Sequence, residues 1–424
     1  MKRYIDPERS LWPKLTERAT TDDALIEERV AGIISRVCSD GDKALIALSD
    51  EIDSVDLSQG MEVSPEEIEI ASQEVSAELK RAIAAAYDNI YMFHAAQKAE
   101  PVNMQTVPGV RCVRKSVAIE KVGLYIPGGS APLFSTVLML AIPAKVAGCS
   151  QIILCTPCGK DGKVASAVLY AASFCGVDRI FKIGGAQAVA AMAYGTETVP
   201  AVDKIFGPGN RYVTKAKEMV SRNVAIDMPA GPSEVLVMAD DSAVPAFVAS
   251  DLLSQAEHGP DSQVILVCDT KELAGKVQME VESQLERLPR KEVALKALEG
   301  SRVIVIPSAD EQIEFVNMYA PEHLIISMAD PWVIAERITA AGSVFIGNYT
   351  PESAGDYASG TNHTLPTSGW ARSMSGVNLD SFVRKITYQE ITAEGIRSLG
   401  KTIVTMARAE GLDAHANAAI VRMK

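Results

Sequence analysis

Short apolar runs alternate with longer amphipathic segments along the chain from about Ser116 onward. The first series predicts strand Val122–Ile126, helix Ala131–Val146, strand Gln151–Cys155, helix Lys163–Cys175, strand Arg179–Ile183, helix Ala186–Tyr194, strand Asp203–Phe206 and helix Arg211–Arg222. Strands that alternate with helices in this way are typical of a parallel sheet covered by helices.

The same alternation begins again further along the chain. The second series predicts helix Ala246–Glu257, strand Gln263–Cys268, helix Lys271–Leu288, strand Arg302–Ile306, helix Asp310–Ala320, strand Leu324–Met328, helix Pro331–Ala341 and strand Ser343–Gly347. Two Rossmann-like units in tandem are therefore predicted. The pattern suggests a duplication, although the two series share no residue-level repeat.

The two ends of the chain have a different pattern. Segments Asp22–Ser54 and Ser64–Ala99 are helical in periodicity, and the second begins with a capping serine, a proline and two acids,. The C-terminal tail combines one strand-like piece, Val383–Thr387, with a helix, Thr392–Glu410.

The predicted fold class is α/β, with two tandem Rossmann-like doubly wound parallel-sheet domains, a helical N-terminal segment and a small C-terminal tail domain. A chain of 424 residues is long enough for at least two such cores,. We expect an N-terminal segment (1–19), a first domain with the metal and catalytic motifs (20–124 plus 235–377), a second domain with the cofactor motifs (125–234) and a tail domain (378–424).

Composition narrows the class of partner. Hydrophobic residues make up 47% of the chain and charged residues 22%, a balance typical of soluble globular proteins,. The net charge of −13 argues against nucleic acid or an anionic membrane as a partner,. The longest apolar stretch, residues 131–149, contains Pro143 and Lys145 and predicts a core helix, and the charged first residues do not resemble a signal peptide,. A cytoplasmic protein is expected.

The seven cysteines are too sparse for a disulfide framework,. Cys155 and Cys158 form a CxxC just after a predicted strand, but no second Cys/His pair and no thioredoxin-like context lie nearby. We interpret them as two reduced thiols. The alternative is a redox-active or metal-binding CxxC motif.

The five histidines are distributed unevenly. His94 lies in a helical pattern, which favours a satisfied, partly buried residue. The other four lie in segments rich in acids, Gly and Pro, none in the middle of a clear helix. Gln255 and His258 are three apart, so both can meet one ion from the same helical face. Capping of the helix C-terminus by His258 is the alternative, favoured on this segment alone.

Acids accompany the remaining histidines. Glu322 and His323 stand side by side at the entry to a predicted strand, and a carboxylate with an imidazole suits general base chemistry near neutral pH,. Asp356 and His363 lie in a Gly-rich polar segment and could provide a metal ligand and a substrate contact, although a plain loop has the same composition. The tail carries Glu410 and His415, which taken alone would be solvated side chains.

Glycine-rich turns follow three predicted strands. The first comes directly after Tyr125-Ile126, the second is Gly184-Gly185-Ala186-Gln187 and the third is Gly207-Pro208-Gly209-Asn210. The dinucleotide fingerprint GxGxxG is absent, because Tyr212 occupies the position of its third glycine. Each turn alone is an ordinary strand-to-helix connection. Together they make a ligand-binding crevice plausible.

Taken together, these segments resemble the histidinol dehydrogenase family across nearly the whole chain. The resemblance rests on Gly123-Leu124-Tyr125-Ile126-Pro127-Gly128-Gly129, Gly185-Ala186-Gln187-Ala188, Phe206-Gly207-Pro208-Gly209-Asn210, Ile226-Asp227-Met228-Pro229-Ala230-Gly231-Pro232-Ser233-Glu234, Gln255-Ala256-Glu257-His258-Gly259-Pro260-Asp261-Ser262-Gln263, Pro321-Glu322-His323, residues 355–367 and residues 410–415. So many long motifs in one order are highly specific.

The resemblance implies roles for individual residues. The metal would be one zinc ion per subunit, with the ligands Gln255, His258, Asp356 and His415. The same four residues, together with Ser233, His323, His363 and Glu410, would bind the substrate. The cofactor would be NAD, with contacts from Tyr125, Gln187 and Asn210. It also implies a homodimer with shared active sites, in which the tail crosses to the partner subunit.

The activity implied is a four-electron oxidation of L-histidinol through L-histidinal to L-histidine with two NAD and one water, the last steps of histidine biosynthesis. His323 would take the hydroxyl proton, and Glu322 would activate the water that attacks the aldehyde. Two alternatives stay open: a related zinc and NAD enzyme for another polar alcohol, and a zinc hydrolase, which would leave the glycine-rich turns unexplained. A purely structural protein would not need four acid-flanked histidines.

Overall fold

The computed structural model describes residues 1–18, 24–128, 132–229 and 231–424. Asp22, Gly129, Ala131 and Ala230, as well as the expected boundary between residues 19 and 20, lie outside these ranges. No helix in the described part of the chain is both long enough and apolar enough to span a membrane.

The strands fall into three sheets. In chain order they are β1 Lys2–Ile5, β2 Val102–Val107, β3 Val110–Ala118, β4 Lys121–Tyr125, β5 Gln151–Cys155, β6 Arg179–Phe181, β7 Lys204–Phe206, β8 Ala225–Ile226, β9 Glu234–Ala239, β10 Gln263–Cys268, β11 Arg302–Val305, β12 His323–Ser327, β13 Ser343–Ile346 and β14 Val383–Ile391. The six-stranded sheet has the order β1-β11-β10-β9-β12-β13, the five-stranded sheet β6-β5-β4-β7-β8, and the three-stranded sheet β14-β3-β2.

Helices connect and cover these strands. They are α1 Trp12–Leu15, α2 Ala24–Asp40, α3 Asp42–Leu48, α4 Pro65–Glu74, α5 Ala77–Ala95, α6 Phe134–Ala147, α7 Ser166–Phe174, α8 Gly185–Tyr194, α9 Arg211–Val220, α10 Pro245–Ala256, α11 Lys271–Leu285, α12 Lys291–Glu299, α13 Ala309–Tyr319, α14 Pro331–Ala335, α15 Glu352–Tyr357, α16 Ala393–Ala409 and α17 Asp413–Met423. A π-helical turn follows α3 over Ser49–Asp53.

The two larger sheets share one topology. In each, the first strand of the unit lies in the centre, two later strands pair on one side and two on the other, and all pairings are parallel. β1 adds a sixth strand at one edge of the larger sheet. The predicted α/β class with two parallel sheets is confirmed, and the common strand order adds support for a duplication.

Each larger sheet is covered on both faces, because alternate side chains of its strands enter different cores. In β5, Ile152 and Leu154 belong to one core while Ile153 and Cys155 belong to another. The strand β9 divides its residues between two further cores in the same way. Buried apolar side chains on both faces are the mark of a doubly wound sheet.

The N-terminal helices pack on the five-stranded sheet. Side chains of α2 and α3 enter one of its cores, and side chains of α5 enter the other. A domain boundary based on packing alone therefore groups residues 24–95 with residues 125–234. The expected boundary grouped them with residues 235–377. The division into independent folding units stays a prediction.

Two long helices predicted near the N-terminus are each broken. Gly41, with φ of 54°, separates α2 from α3, and an extended Val75 separates α4 from α5. Ser64 caps α4 through a capping box, as its sequence predicts,. The helix predicted over Pro331–Ala341 ends at Ala335, because the amides of Arg337 and Ile338 bond three residues back instead of four,.

Several elements were not predicted. They include the central strand β9, the antiparallel sheet strands β2 and β3, the short strands β1 and β8, and the helices α12 and α17. His415 lies in the first turn of α17 and so not in the middle of a helix, in agreement with the prediction for the four acid-flanked histidines. The strand of the tail continues to Ile391 and pairs with β3 along its whole length.

Candidate active site

The loop between α13 and β12 brings Glu322 and His323 to the amino edge of the six-stranded sheet. α13 ends at Tyr319, its C-cap Ala320 has a left-handed φ of 53°, and Pro321 directs the chain into β12. His323 pairs in register with Val235 of the central strand. Both side chains are buried, and Glu322 Oε2 lies 3.6 Å from His323 Nδ1. The two neighbours therefore meet in one cleft.

A single hydrogen bond fixes the tautomer of His323. Its Nδ1–H donates to the main-chain carbonyl of Glu234 at 3.1 Å, which leaves Nε2 as the acceptor nitrogen,. That Nε2 is buried and has no hydrogen-bond partner among the described residues. Burial lowers the pKa of His323 to about 3. The imidazole is therefore neutral at physiological pH, with one nitrogen free to accept a proton.

Glu322 is held by one backbone donor. The amide of Glu234 donates to Glu322 Oε2 at 2.8 Å, and burial raises the pKa of the Glu322 carboxyl well above its usual range,. A carboxyl group with a raised pKa can hold and release a proton near neutral pH.

Two acids of α15 approach the same imidazole. Asp356 Oδ1 lies 3.8 Å from His323 Nε2, and Glu352 Oε1 lies 3.8 Å from His323 Nδ1. Burial raises the pKa of Asp356 to about 7, and burial together with the nearby Asp356 charge raises that of Glu352. Each of the three residues offers a ligand atom within 4.8 Å of the others. Glu352 was missed in the sequence, where it resembles an ordinary first-turn acid.

Gln255 and His258 extend this cluster from the C-terminal end of α10. The helix runs back from the carboxyl edge of the sheet, so its end reaches the amino edge, and α15 packs against it. Gln255 Nε2 lies 3.4 Å from His258 Nδ1, as expected for residues three apart. His258 is exposed, yet desolvation by the protein around it lowers its pKa.

A cation fits these residues. Gln255 Oε1, His323 Nε2 and both oxygens of Glu352 are buried without a hydrogen-bond partner within the described ranges. Buried polar atoms without partners are costly, and a metal ion would satisfy the amide and carboxylate oxygens among them. A donor set of imidazole nitrogen, carboxylate and amide oxygen suits zinc.

His363 crosses from this cluster to the five-stranded sheet. Its Nδ1 lies 2.9 Å from the main-chain oxygen of Asp356, and its Nε2 lies 3.2 Å from Oγ1 of Thr136 on α6. Burial lowers the pKa of His363 to about 4. Arg211 of α9 and Asp261, which precedes β10, form a second link between the two units at 3.0 Å.

These links show how the two units are arranged. Thr136 and Arg211 lie in the first turns of helices that follow β4 and β7, at the carboxyl edge of the five-stranded sheet. His363 and Asp261 lie near the amino edge of the six-stranded sheet. One sheet's carboxyl edge therefore faces the other sheet's amino edge across a cleft.

A cavity of about 1260 Å³ opens at the carboxyl edge of the five-stranded sheet. Tyr125, Gln187 and Asn210 all line it, near the carboxyl ends of β4, β6 and β7. Tyr125 accepts a hydrogen bond from Gly185 N at 3.1 Å, and Gln187 donates to Asp53 at 3.2 Å. A side chain at Gly207 would collide with the Tyr125 carbonyl, so only glycine permits this approach of two turns.

The position of the cavity follows from the strand order. β4 and β7 are neighbours whose connections leave on opposite sides, and doubly wound sheets bind ligands at this point,. Asn210 caps α9 there by accepting from Tyr212 N and Val213 N. Asp53 comes from the N-terminal π-helical turn, so its place in the cavity is not evident from sequence.

The remaining predicted residues have mixed placements. Ser233 directly precedes β9 and is half-buried beside the cluster. Glu410 and His415 are exposed in the tail, and no hydrogen bond or ion pair within the described ranges connects either to the cluster. Cys155 and Cys158 are free thiols, the second of which lines the cavity.

Over nearly its whole length, this chain matches one protein family. The family model described as histidinol dehydrogenase matches residues 16–423. The chain is 55% identical to a histidinol dehydrogenase of Bacteroides thetaiotaomicron, covering 100% of this chain and 99% of the relative, and 53% identical to one of Shewanella oneidensis, covering 95% and 93%. It is similar to the crystal structure of histidinol dehydrogenase from Elizabethkingia anophelis, with a TM-score of 0.98, 51% identity and coverage of 100% and 98%. The chain belongs to the histidinol dehydrogenase family.

Proposed function

We propose that this protein oxidises L-histidinol through L-histidinal to L-histidine, with NAD as the electron acceptor and zinc as a resident metal ion. The observation that carries the proposal is the cleft, in which a nucleotide-sized cavity on one sheet edge faces a buried imidazole and carboxyl cluster on the other. Hydride transfer from an alcohol to a dinucleotide needs a site for the dinucleotide and a base beside the carbinol.

Zinc would be held by Gln255, His258 and Asp356, with His415 as a fourth ligand. When bound, zinc supplies a positive charge that orients the imidazole and amino nitrogens of the substrate. Ser233, His363 and Glu410 are the further substrate contacts that we propose. Holding reacting groups in place in this way can supply several kcal/mol of the barrier.

His323 acts as the base in both oxidations. Its Nε2 faces the cluster without a partner, so it can accept the hydroxyl proton as the carbinol hydrogen leaves with its electron pair,. The hydrogen bond from Nδ1–H to Glu234 keeps the proton-accepting nitrogen in place. NAD supplies the hydride acceptor for each oxidation, near Tyr125, Gln187 and Asn210.

Glu322 acts mainly in the second oxidation. Its raised pKa and its position 3.6 Å from the imidazole suit it to take a proton from the water that attacks the aldehyde. The resulting hydrate carries a hydroxyl group that His323 can deprotonate as the second hydride leaves. Two hydrides and three protons leave in total, since the acid product ionises to a carboxylate, and one water oxygen enters the product.

The tail supports a homodimer with sites built from both subunits. Glu410 and His415 are exposed. The same two helices carry exposed apolar residues, including Met406, which is 61% exposed, and Val421, which is 50% exposed. Apolar surface of this kind suits contact with a second copy. A second copy's tail would then complete the metal cluster with its own imidazole.

The test is to count the NADH formed per L-histidinol consumed, with and without a chelator. We expect two NADH per substrate, loss of turnover on chelation and recovery on adding zinc. One NADH per L-histidinol would show that the protein does not catalyse the second oxidation, from L-histidinal to L-histidine. Turnover of another polar alcohol in preference to histidinol, or the absence of NAD binding in calorimetry, would support the related alcohol dehydrogenase or the hydrolase instead.

A further inference from the structure

Both residues of the acid–base pair are hydrogen-bonded to the main chain of one residue. The amide of Glu234 donates to Glu322 Oε2 at 2.8 Å, and its carbonyl accepts from His323 Nδ1 at 3.1 Å. The position of this single peptide segment therefore sets the orientation of Glu322 and the tautomer of His323. Neither bond involves the Glu234 side chain.

The side chain of Glu234 is anchored separately. It is only 2% exposed, and Arg18 grips it with two hydrogen bonds, Nε to Oε1 at 2.9 Å and Nη2 to Oε2 at 2.8 Å. The amide of Ser368 donates to Oε1 at 2.8 Å as well. Segments far apart in the chain thus converge on the first residue of the central strand.

Arg18 also contacts the residues that lead into the acid–base pair. Its guanidinium stacks 3.7 Å from the ring centroid of Tyr319, and Nη2 lies 3.4 Å from the Ala320 carbonyl. Tyr319 is fully buried and donates from its hydroxyl to Gln263 at 2.8 Å. One guanidinium therefore touches both the strand beneath the pair and the turn before it.

An ion pair in this position is better suited to fixing geometry than to adding stability. A buried pair loses solvation on both charges, and replacing it with packed apolar side chains is often neutral or stabilising. A bidentate Arg–carboxylate contact, in contrast, fixes distance and angle together. Its two fixed partners here are the strand and the turn that orient Glu322 and His323.

We propose that Arg18 and Glu234 are positioning residues for the proposed oxidation, which hold the β9 main chain so that His323 keeps its Nδ1–H tautomer and Glu322 stays beside it. The proposal rests on the proposed function for its kinetic consequence. Its structural consequence, the His323 tautomer, does not depend on that function.

The kinetic test compares Arg18→Ala with a matched control, Arg179→Ala. Arg179 also grips a glutamate with two hydrogen bonds, to Glu62, and stacks on a ring, that of Phe181, but at the start of β6 on the amino edge of the other sheet. We expect Arg18→Ala to lower kcat about tenfold to hundredfold with KM for NAD and zinc content unchanged. The control should leave kcat within about twofold.

Chemical rescue separates positioning from general stabilisation. Arg18 is 19% exposed on its side chain, so guanidinium ion at millimolar concentration can enter the space left by Arg18→Ala. We expect it to restore a large part of kcat in that variant and none in Glu234→Gln, which lacks the carboxylate. Rescue of thermal stability without rescue of kcat would overturn the proposal.

Nitrogen NMR of protein labelled with 15N-histidine tests the tautomer without any turnover, and His323→Asn assigns the signal. The His323 signals should show protonated Nδ1 in the parent enzyme and a mixture of tautomers in Arg18→Ala. An unchanged tautomer together with an unchanged kcat refutes the positioning role. An intact parent tautomer without histidinol turnover would refute the proposed function and leave this inference standing. Arg18→Lys replaces Arg18→Ala if the latter does not fold.

Discussion

The five-stranded and six-stranded sheets share a strand order yet place their candidate sites at opposite edges. The five-stranded sheet uses the carboxyl edge, where glycine-rich turns surround an open cavity. The six-stranded sheet uses the amino edge, where titratable side chains are packed beneath the surface. Because the two edges face each other, one cleft contains both kinds of site.

The difference concerns what each edge is made of. The cavity is shaped by backbone turns that follow three strands. The cluster contains buried acids with raised pKa values and buried imidazoles with lowered ones, so burial favours the neutral form of each group,. We infer that one edge is built for binding and the other for chemistry.

The largest expected effect comes from His323→Asn, which removes the proton acceptor. We expect kcat for histidinol oxidation to fall by about 10²- to 10⁴-fold, while NAD affinity measured by calorimetry stays unchanged because the cavity lies on the other sheet. Glu322→Gln should slow histidinal oxidation more than histidinol oxidation, as measured in single-turnover experiments. Full activity in either variant, or a loss of NAD binding in His323→Asn, would break the separation of the two edges.

A smaller effect is expected from the buried acid Asp251 of α10, beside the cluster. Burial raises its pKa to about 7. The folded state therefore binds a proton that the unfolded state releases, and stability falls as pH rises from about 4 to 7. In the metal-free protein, the change in the free energy of unfolding caused by Asp251→Asn should therefore be about 2–4 kcal/mol more stabilising at pH 8 than at pH 4. Denaturant unfolding at both pH values measures this gain.

The control for that measurement is Asp330→Asn, at an exposed acid near the carboxyl edge of the same sheet. The gain in stability between the two pH values should be larger for Asp251→Asn than for this control. If Asp251→Asn behaved like this control, ionisation of a buried acid at the amino edge would not cost stability.

The smallest effect is expected from Tyr125→Phe on the binding side. The change removes the acceptor for Gly185 N and so loosens the turn before Gln187. We expect the binding free energy of NAD to weaken by about 1 kcal/mol, which is a five- to tenfold higher Kd in calorimetry, with zinc content unchanged. Tyr349→Phe, at an 89% exposed tyrosine, is the matched control. Lost zinc in Tyr125→Phe would show that the edges are not separable.

Sequence predicted the binding edge better than the chemical edge, for a physical reason. Strand-to-helix turns are local, so Tyr125, Gln187 and Asn210 could be placed by periodicity and the rule for parallel sheets. That rule gives no reason for His323 at the start of its strand. The reason is the direction of α10, which brings Gln255 and His258 back to the amino edge.

Other residues could not be found from local patterns. Glu352 resembles a helix-start acid, and the partners Arg18 and Glu234 are 216 residues apart. The strands β2 and β3 lack a clear alternation because most of their side chains are exposed or half-buried. In contrast, β9 is an unbroken apolar run from Val235 to Ala239, so its signal was present in the sequence.

The exposed position of His415 has a consequence for how the enzyme responds to its own concentration. If a second copy must lend this imidazole, a lone chain binds its metal with one ligand too few. Metal retention and subunit association then stabilise each other through mass action. Dilution would release metal, and abundant metal would hold pairs together, so zinc supply and protein abundance would regulate the same step.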